Sequence, residues 1–360
     1  MNSLSTLFPI IESKNNFIRI AGPCSAENYE QVMDSAKGLA KSGKVDVFRC
    51  GVWKPRSSPD SFEGAGNEAL KWLKEVENGL HLPVCTEIAS PLQLENAVKE
   101  GLTIFWIGAR TSINPFLVQS IADAAKGLNI SVMIKNPLSP DLKLWYGNFE
   151  RFAKAGIDKI AGIYRGFAGI YPQIYRNDPA WQMLIEFKRL YPQIPLIFDP
   201  SHIAGNTQFI PDLTQKALSL NADGWMLEVH CDPKNALSDK DQQLSPHQYI
   251  QLIENLIIPQ KNQTQNSFLQ EEREIINHID YQIFKLLSQR FTSVAKIAKL
   301  KKEQNLPILQ LQRWEEVYNQ LITLSSDLQI DTEFAQKFLA LLHEYAIKIQ
   351  QEIIYRQNTE

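Results

Sequence analysis

The sequence lacks any apolar stretch that could cross a membrane. Within its 360 residues, no run approaches the roughly 18 consecutive apolar residues that a membrane-spanning helix needs. The N-terminal stretch MNSLSTLFPIIESKNN has no basic segment followed by an apolar one, as a secretory signal would have. We therefore expect a soluble, cytoplasmic protein that does not act on membranes.

An excess of positive charge and a cysteine framework are also missing. The chain has 37 Lys and Arg against 40 Asp and Glu, a net charge of -3, which argues against a general nucleic-acid-binding surface. The cysteines are too scattered for a disulfide framework in a chain of this size. They are Cys24, Cys50, Cys85 and Cys231. We expect free thiols or metal ligands, and any basic site must be local.

Short apolar runs alternate with amphipathic helical stretches from residue 17 to residue 230. The eight runs are FIRIAGPCS, VDVFRCGVW, LPVCTEI, LTIFWIGA, ISVMIKN, KIAGIYRGF, IPLIFDPSH and ADGWMLEVH. Nearly continuous apolarity suits parallel strands that are covered on both faces. The pattern predicts an α/β fold, a (β/α)8 TIM barrel. The alternative, a doubly wound open sheet, lacks support because no G-x-G-x-x-G follows the first strand.

The alternation stops at a polar stretch, and everything after it has helical periodicity. We predict a barrel domain over 1–257, a linker over 258–267 and an all-α domain over 268–360. Helices are expected at 268–304, about 311–325 and 332–357. Three helices, one of them very long, cannot easily bury their apolar faces in one chain, so the sequence predicts a homodimer formed through this domain.

Cations follow several of the predicted strands. Because strand ends meet at the mouth of a TIM barrel, these side chains would repel one another unless anions bind among them. Arg and Lys in such a set suit two phosphorylated small molecules as substrates; the alternative is a set of solvated surface charges. The residues are Arg49, Lys54, Arg56, Arg110, Lys135 and Arg165.

Four residues with metal-binding side chains end strands or follow them closely. Cys24, His202 and Glu228 end the first, seventh and eighth strands, and Asp239 lies in the loop after the eighth. A thiol, an imidazole and two carboxylates would accept divalent manganese, iron, cobalt or zinc. A cysteine alone would more often be a small buried apolar residue. The neighbouring ligands favour a metal site.

Several short motifs, in order, resemble type I 3-deoxy-D-arabino-heptulosonate 7-phosphate (DAHP) synthases. They are GPCS at 22–25, KPRSSP at 54–59, IGAR at 107–110, DPSH at 199–202, and EVH at 228–230 with a downstream ALSD. The resemblance implies a metal-dependent condensation of phosphoenolpyruvate with erythrose 4-phosphate, the first step of the shikimate pathway toward aromatic amino acids.

The same resemblance implies roles for single residues. Cys24, His202, Glu228 and Asp239 would hold the metal. Arg49, Lys54, Arg110, Lys135 and Arg165 would hold phosphoenolpyruvate, and Arg56 with Ser57 the aldose phosphate. Lys54 is the candidate proton donor. The chain departs from the family pattern in Ser57, where threonine is usual, and in KNP at 135–137, but it keeps the hydroxyl and Lys135.

The C-terminal domain places Arg273, Asp280 and Arg290 on roughly one helical face with an apolar stripe. This pattern indicates either the rim of a dimer interface or a pocket for a small dianion. The layout resembles the all-helical chorismate mutases, over residues 268–354. That resemblance implies an intertwined dimer that rearranges chorismate to prephenate.

In such a dimer each pocket takes one arginine, here Arg273, from the other subunit. The remaining substrate-binding residues would be Arg290, Lys301, Arg313 and Gln350, with Arg290, Lys301 and Gln350 as the catalytic set. Two departures stand out: Trp314 replaces a usual glutamate and Gln310 a usual aspartate.

The predicted barrel begins almost at the first residue, which leaves no room for a preceding regulatory domain. We therefore expect feedback inhibition by prephenate or chorismate through the helical domain. Two alternatives stay open. The helical domain could be only a dimerisation and ligand-sensing module, or the barrel could be a related synthase that uses another phosphorylated sugar and gives an eight-carbon keto-acid.

Overall fold

The computed structural model describes residues 17–55, 60–169, 174–259 and 267–355. The chain divides into two compact units, Met1–Gln260 and Lys261–Glu360. Among the described residues, no helix is long and apolar enough to cross a membrane.

The first unit is a closed barrel of eight parallel strands in chain order, with β1 paired to β8. This pairing confirms the predicted TIM barrel and excludes the open sheet. The strands are β1 (Ile18–Gly22), β2 (Val47–Arg49), β3 (Val84–Ile88), β4 (Ile104–Ile107), β5 (Ser131–Lys135), β6 (Ile160–Tyr164), β7 (Leu196–Phe198) and β8 (Gly224–Glu228).

Helices connect the strands and cover the outside of the barrel. They are α1 (Tyr29–Ala40), α2 (Glu68–Leu80), α3 (Pro91–Lys99), α4 (Ala109–Ser112), α5 (Pro115–Ala124), α6 (Leu142–Lys154), α7 (Trp181–Leu190), α8 (Pro200–Ala204), α9 (Ile210–Ser219) and α10 (Pro246–Asn255). Several begin at a side chain that caps free backbone N–H groups. Ser245, for example, forms a reciprocal capping box with Gln248 at the start of α10.

The barrel has two apolar cores. One lies between the strands and the helices, where Trp145 of α6 stacks on Phe187 of α7 with ring centroids 4.2 Å apart. The other fills the barrel interior. Its members come from all eight strands: Ile18, Ile20, Val47, Cys85, Ile104, Trp106, Met133, Ala161, Ile163, Ile197 and Met226.

The second unit consists of α11 (Ser267–Glu303), α12 (Leu311–Asp327) and α13 (Thr332–Tyr355). The left-handed backbone of Asn305, with φ 52°, ends the long helix two residues before Pro307. An apolar stripe along α11 stays 42–63% exposed within this single chain. The stripe comprises Ile275, Ile279, Ile283 and Leu286.

Candidate active sites

The alternation of side chains along the strands places polar groups at the mouth of the barrel. Successive residues of a strand face opposite sides, so a residue two positions beyond an interior apolar residue also faces inward. Six strands carry a charged residue at that position and two carry glycine. The charged residues are Arg49, Glu87, Lys135, Arg165, Asp199 and Glu228, and the glycines are Gly22 and Gly108.

Three of the four predicted metal ligands form one cluster. Ligand atoms of Cys24, Glu228 and Asp239 all lie within 4.8 Å of one another. The Cys24 thiol donates to Asp239 Oδ2 over 3.2 Å. Cys24 and Glu228 are fully buried.

His202 lies beside this cluster without belonging to it. Its Nε2 is 3.7 Å from Glu228 Oε1, and its Nδ1 is 3.0 Å from Asp199 Oδ1. Burial lowers the pKa of His202, although Asp199 acts in the opposite direction. The net lowering favours the neutral ring. With the proton on Nδ1 toward Asp199, Nε2 is the nitrogen that could bind a metal.

The cluster fits a divalent cation in the chemistry of its donors. Burial raises the pKa of the Cys24 thiol to about 12, so a cation would have to displace its proton to bind sulfur. Glu228 Oε1 is buried and, among the described residues, accepts no well-aligned hydrogen bond, although Arg49 Nη2 lies 3.1 Å away. Sulfur, nitrogen and carboxylate oxygen together suit a borderline divalent metal.

A small cavity, with a volume of about 70 Å³, opens beside the cluster. Five cations line it, together with Glu87, His202 and Asp239. Arg110 is exposed, whereas Lys54, Lys135 and Arg165 are buried. The cations are Lys54, Arg110, Lys135, Arg165 and Arg176. A concave site with this charge is suited to anionic ligands.

Arg49 is fully buried beside the cluster, with Nη2 3.1 Å from Glu228 Oε1. Its guanidinium carbon is 4.9 Å from the centroid of the Trp106 ring. Among the described residues, its Nε and Nη1 have no hydrogen-bond partner. Buried donors without partners are uncommon, and an anionic ligand would satisfy them.

Two buried carboxylates hold the lysines of the cavity. Lys135 Nζ lies 2.8 Å from Asp199 Oδ2, and Lys54 Nζ lies 3.5 Å from Glu87 Oε2. Burial opposes the charge of Lys54, but Cys24 and Glu87 raise its pKa above the usual value. For Lys135 burial outweighs Asp199 and lowers the pKa. Burial likewise lowers the pKa of Arg165 to about 10, which keeps it charged at neutral pH.

The structure brings most of the predicted barrel residues to one mouth. Arg56 and Ser57 are the exceptions, because they lie outside the described residues. Three residues at the site have no predicted role: Glu87, Asp199 and Arg176. The sequence marks Glu87 at the end of the third apolar run and Asp199 in the DPSH motif, but assigns neither a role. Arg176 lies in the loop after β6, where no periodic pattern points to it.

The predicted residues of the helical unit differ in how deeply they are buried. Arg290 donates to the Leu342 carbonyl over 3.4 Å, and Lys301 to that of Ile308 over 2.6 Å. Burial lowers the pKa of both cations. Gln350 is buried, and among the described residues its Oε1 has no partner. Arg273 is exposed, as is Arg313, whose Nη1 contacts Glu316 3.0 Å away.

An aromatic stack lies near these cations. The Trp314 ring of α12 stacks on His343 of α13, with centroids 3.8 Å apart and an angle of 26°. Burial first, and then the charges of Arg290 and Lys301, lower the pKa of His343. The unexpected tryptophan therefore packs against an imidazole that lies in the field of two predicted substrate-binding cations.

Comparison with known proteins agrees with the two-part organisation. The model of the DAHP synthetase I family matches residues 7–266, and that of chorismate mutase type II matches residues 272–351. A phospho-2-dehydro-3-deoxyheptonate aldolase from Thermotoga maritima is 32% identical over 67% of this chain and 69% of its own. A 2-dehydro-3-deoxyphosphooctonate aldolase from Desulfatibacillum aliphaticivorans is 29% identical over 67% and 89%.

The solved structures give the same result for the barrel. The crystal structure of the DAHP synthase from Thermotoga maritima superposes with a TM-score of 0.59 at 29% identity, and covers 67% of this chain and 68% of that one. Together with the match of the family model to most of the chain, this confirms both resemblances seen in the sequence. The chain belongs to the DAHP synthetase I family and carries a chorismate mutase type II domain after its barrel.

Proposed function

We propose that the barrel condenses phosphoenolpyruvate with erythrose 4-phosphate to DAHP and phosphate, in a reaction that depends on a divalent metal. The supporting observation is the cavity itself, which joins five cations to the Cys24, Glu228 and Asp239 cluster. Two phosphorylated substrates need that much positive charge. Held by Cys24, His202, Glu228 and Asp239, the cation would act as a Lewis acid on the aldehyde oxygen of the aldose.

The protein groups supply orientation and one proton. Arg49, Lys135, Arg165 and Arg110 would hold the carboxylate and phosphate of phosphoenolpyruvate, so that its terminal enol carbon faces the aldehyde. Lys54, protonated beside Glu87, would give its proton to the new alkoxide as the carbon–carbon bond forms. Water then adds at the phosphate-bearing carbon, and phosphate leaves.

The experiment measures phosphate release from the two substrates with and without EDTA. The Cys24→Ala variant should lose most metal-dependent turnover and keep a native circular dichroism spectrum. The matched Cys231→Ala variant removes a half-buried thiol outside the cluster and should keep turnover. Full activity of Cys24→Ala would contradict the proposed ligand set.

A second candidate substrate comes from the relatives. Several are 2-dehydro-3-deoxyphosphooctonate aldolases, so a five-carbon sugar phosphate in place of the four-carbon one is the competing proposal. Comparing kcat/KM for erythrose 4-phosphate and arabinose 5-phosphate decides between them. We expect a preference for erythrose 4-phosphate, because the 32% identical relative is a phospho-2-dehydro-3-deoxyheptonate aldolase.

For the helical unit we propose rearrangement of chorismate to prephenate. The reaction needs no nucleophile and no proton transfer, only a site that holds the compact conformer and its developing charges. Arg290, Lys301 and Gln350 would contact the carboxylates and the ether oxygen, with Arg313 and the other subunit's copy of Arg273 completing the site. The partly buried Arg290, a cation suited to a carboxylate, supports this proposal.

Trp314 stands where the chorismate mutase resemblance expects a glutamate, and its ring stacks on His343. Loss of that glutamate favours the competing proposal, a dimerisation and ligand-sensing module without turnover. Chorismate consumption by the intact chain separates the two. Arg290→Ala should reduce that turnover at least tenfold, whereas Lys337→Ala, which removes an exposed cation paired with Glu333, should not. Binding of prephenate without any chorismate turnover would favour the sensing module.

The proposal extends to assembly and control. The exposed apolar stripe of α11 supports a homodimer through the helical unit. Prephenate or chorismate bound there would inhibit the barrel, and the barrel's substrates would in turn weaken that binding. Deleting residues 258–360 should abolish inhibition by prephenate; unchanged inhibition would contradict the idea.

Substrates this highly charged do not cross membranes unaided, so we propose that the enzyme acts in the cytoplasm.

A further inference from the structure

A continuous hydrogen-bonded chain links the two carboxylates of the barrel cluster. Arg176 Nη1 donates to Asp239 Oδ1 over 2.9 Å and to Gln242 Oε1 over 2.7 Å. Gln242 Nε2 donates in turn to Glu228 Oε2 over 2.6 Å. Gln242 is only 1% exposed, so this amide joins an arginine of the cavity wall to a fully buried carboxylate.

These hydrogen bonds use one oxygen of each carboxylate, and the other oxygen of each carboxylate faces the cluster. On Asp239 the bonded atom is Oδ1, while Oδ2 lies 3.2 Å from Cys24 Sγ. On Glu228 the bonded atom is Oε2, while Oε1 lies 3.7 Å from His202 Nε2. A carboxylate held at one oxygen cannot rotate freely, so its second oxygen has a fixed direction.

The backbone of Asp239, Gln242 and Arg176 is also held in place. Asp239 adopts a left-handed conformation with φ 46°, and the Gln242 N–H bonds back to the Asp239 carbonyl over 3.2 Å. The Arg176 N–H donates to the Ala204 carbonyl over 3.3 Å. Gly205 leaves space for the arginine, since a Cβ there would lie 2.5 Å from Arg176 Cβ. Arg176 and Gln242 therefore approach the cluster from two different, fixed loops.

We propose that Arg176 and Gln242 are positioning residues for the divalent metal site. Their role is to fix the directions of the Glu228 and Asp239 oxygens before the ion arrives; neither binds the metal. This inference rests on the proposed metal dependence of the barrel. It predicts that removing either donor weakens metal affinity by about 10- to 100-fold, the usual effect of losing a group that orients a ligand.

The test titrates cobalt(II) into the metal-free full-length chain and follows the thiolate-to-cobalt charge-transfer absorption, together with the metal-induced rise in Tm. The variants are Arg176→Met and Gln242→Met, and Gln242→Leu provides a second variant at this position that cannot donate to Glu228. The matched controls are Arg189→Met, from an exposed pair with Glu186, and Gln208→Met, also exposed.

We expect the controls to bind cobalt as the unmodified chain does, and the three variants to bind it about 10- to 100-fold more weakly with a smaller rise in Tm. A purely structural role would lower the Tm of the metal-free protein and leave cobalt affinity unchanged, which would overturn the inference. If the unmodified chain itself binds no cobalt, the proposed metal dependence fails as well. Unchanged affinity in the variants alone rejects only the positioning role.

Discussion

Gly108 determines how much room the carboxylate of Glu87 has. A Cβ at this position would lie 2.0 Å from Glu87 Oε1, and the same carboxylate accepts a hydrogen bond from Trp106 Nε1 over 3.2 Å and lies 3.5 Å from Lys54 Nζ. Gly108→Ala should therefore displace Glu87 and cost about 1 to 3 kcal/mol of unfolding free energy, as overpacking of an interior does. Synthase turnover should fall with it because Lys54 loses its partner.

Urea denaturation and phosphate release measure the two effects. The control is Gly147→Ala in α6, where a Cβ would meet nothing within 4 Å. This helical substitution should be neutral or stabilising by up to about 1 kcal/mol. Equal stability of the two variants would show that Glu87 moves aside at no cost.

His343 gives the helical unit a pH dependence whose sign can be derived. Its pKa is lowered in the fold from 6.5, first by burial and then by Arg290 and Lys301, while the Trp314 ring covers one face. The unfolded chain therefore binds a proton more readily than the folded one, and stability is lost as pH falls below about 6.5. His343→Phe keeps an aromatic ring for the stack and removes this loss.

Thermal unfolding at pH 7.5 and pH 5.5, compared as a difference, isolates the effect. We expect the unmodified chain to lose more Tm between the two values than His343→Phe does, and the exposed His278→Phe control to match the unmodified chain. Identical losses in all three proteins would contradict the prediction.

The residues of the barrel site differ in how far the sequence could predict them. Arg49, Lys135 and Glu228 end strands, so the alternation along a strand fixes both their depth and their direction. Arg176 lies in a loop. Its placement depends on the absent Cβ of Gly205 and on the position of Asp239, and these contacts exist only in the folded structure, not in a local sequence pattern. The assigned roles in metal and substrate binding remain predictions.

Among the elements, α11 carries the clearest expectation. Its apolar stripe is exposed in the single chain, which indicates that another surface covers it. The stripe consists of Ile275, Ile279, Ile283 and Leu286. A charge in the middle of the stripe would be buried without a partner in a dimer. Ile279→Asp should therefore shift the chain from dimer to monomer and reduce chorismate turnover at least tenfold, while phosphate release by the barrel persists.

Light scattering coupled to size exclusion gives the mass directly. Leu92→Asp is the matched control, because it places the same charge on a single exposed leucine of α3 in the barrel unit, 64% exposed. A dimer that survives Ile279→Asp would place the interface elsewhere.

The sequence predicted the elements well because their patterns are local. The eight apolar runs became eight strands, and the predicted helix at 268–304 became α11, Ser267–Glu303. Buried parallel strands and long amphipathic helices both carry continuous periodic signals. The stack of Trp314 on His343 could not be predicted in this way, since its partners lie on different helices and neither interrupts a pattern.

For the whole molecule, the two units should differ in their response to metal removal. The barrel contains the cluster of a thiol and two carboxylates, whereas the proposed mutase reaction uses only cations and an amide. EDTA should reduce DAHP formation to near zero and leave chorismate turnover within a factor of about two, consistent with a reaction that uses no Lewis acid. Added manganese should restore the first activity in the same sample. Loss of both activities would indicate that the ion supports the fold of the entire chain.

The cluster lies along the seam where the barrel closes, since Cys24 follows β1 while Glu228 ends β8 and Asp239 follows it. A chain still emerging from the ribosome holds the thiol for most of its synthesis before either carboxylate exists. Such a nascent chain lacks both carboxylates of the cluster, so the first and last strands must meet before the site is complete. An ion that binds there would join the two edges of the sheet, so loss of metal should loosen the barrel first at this seam.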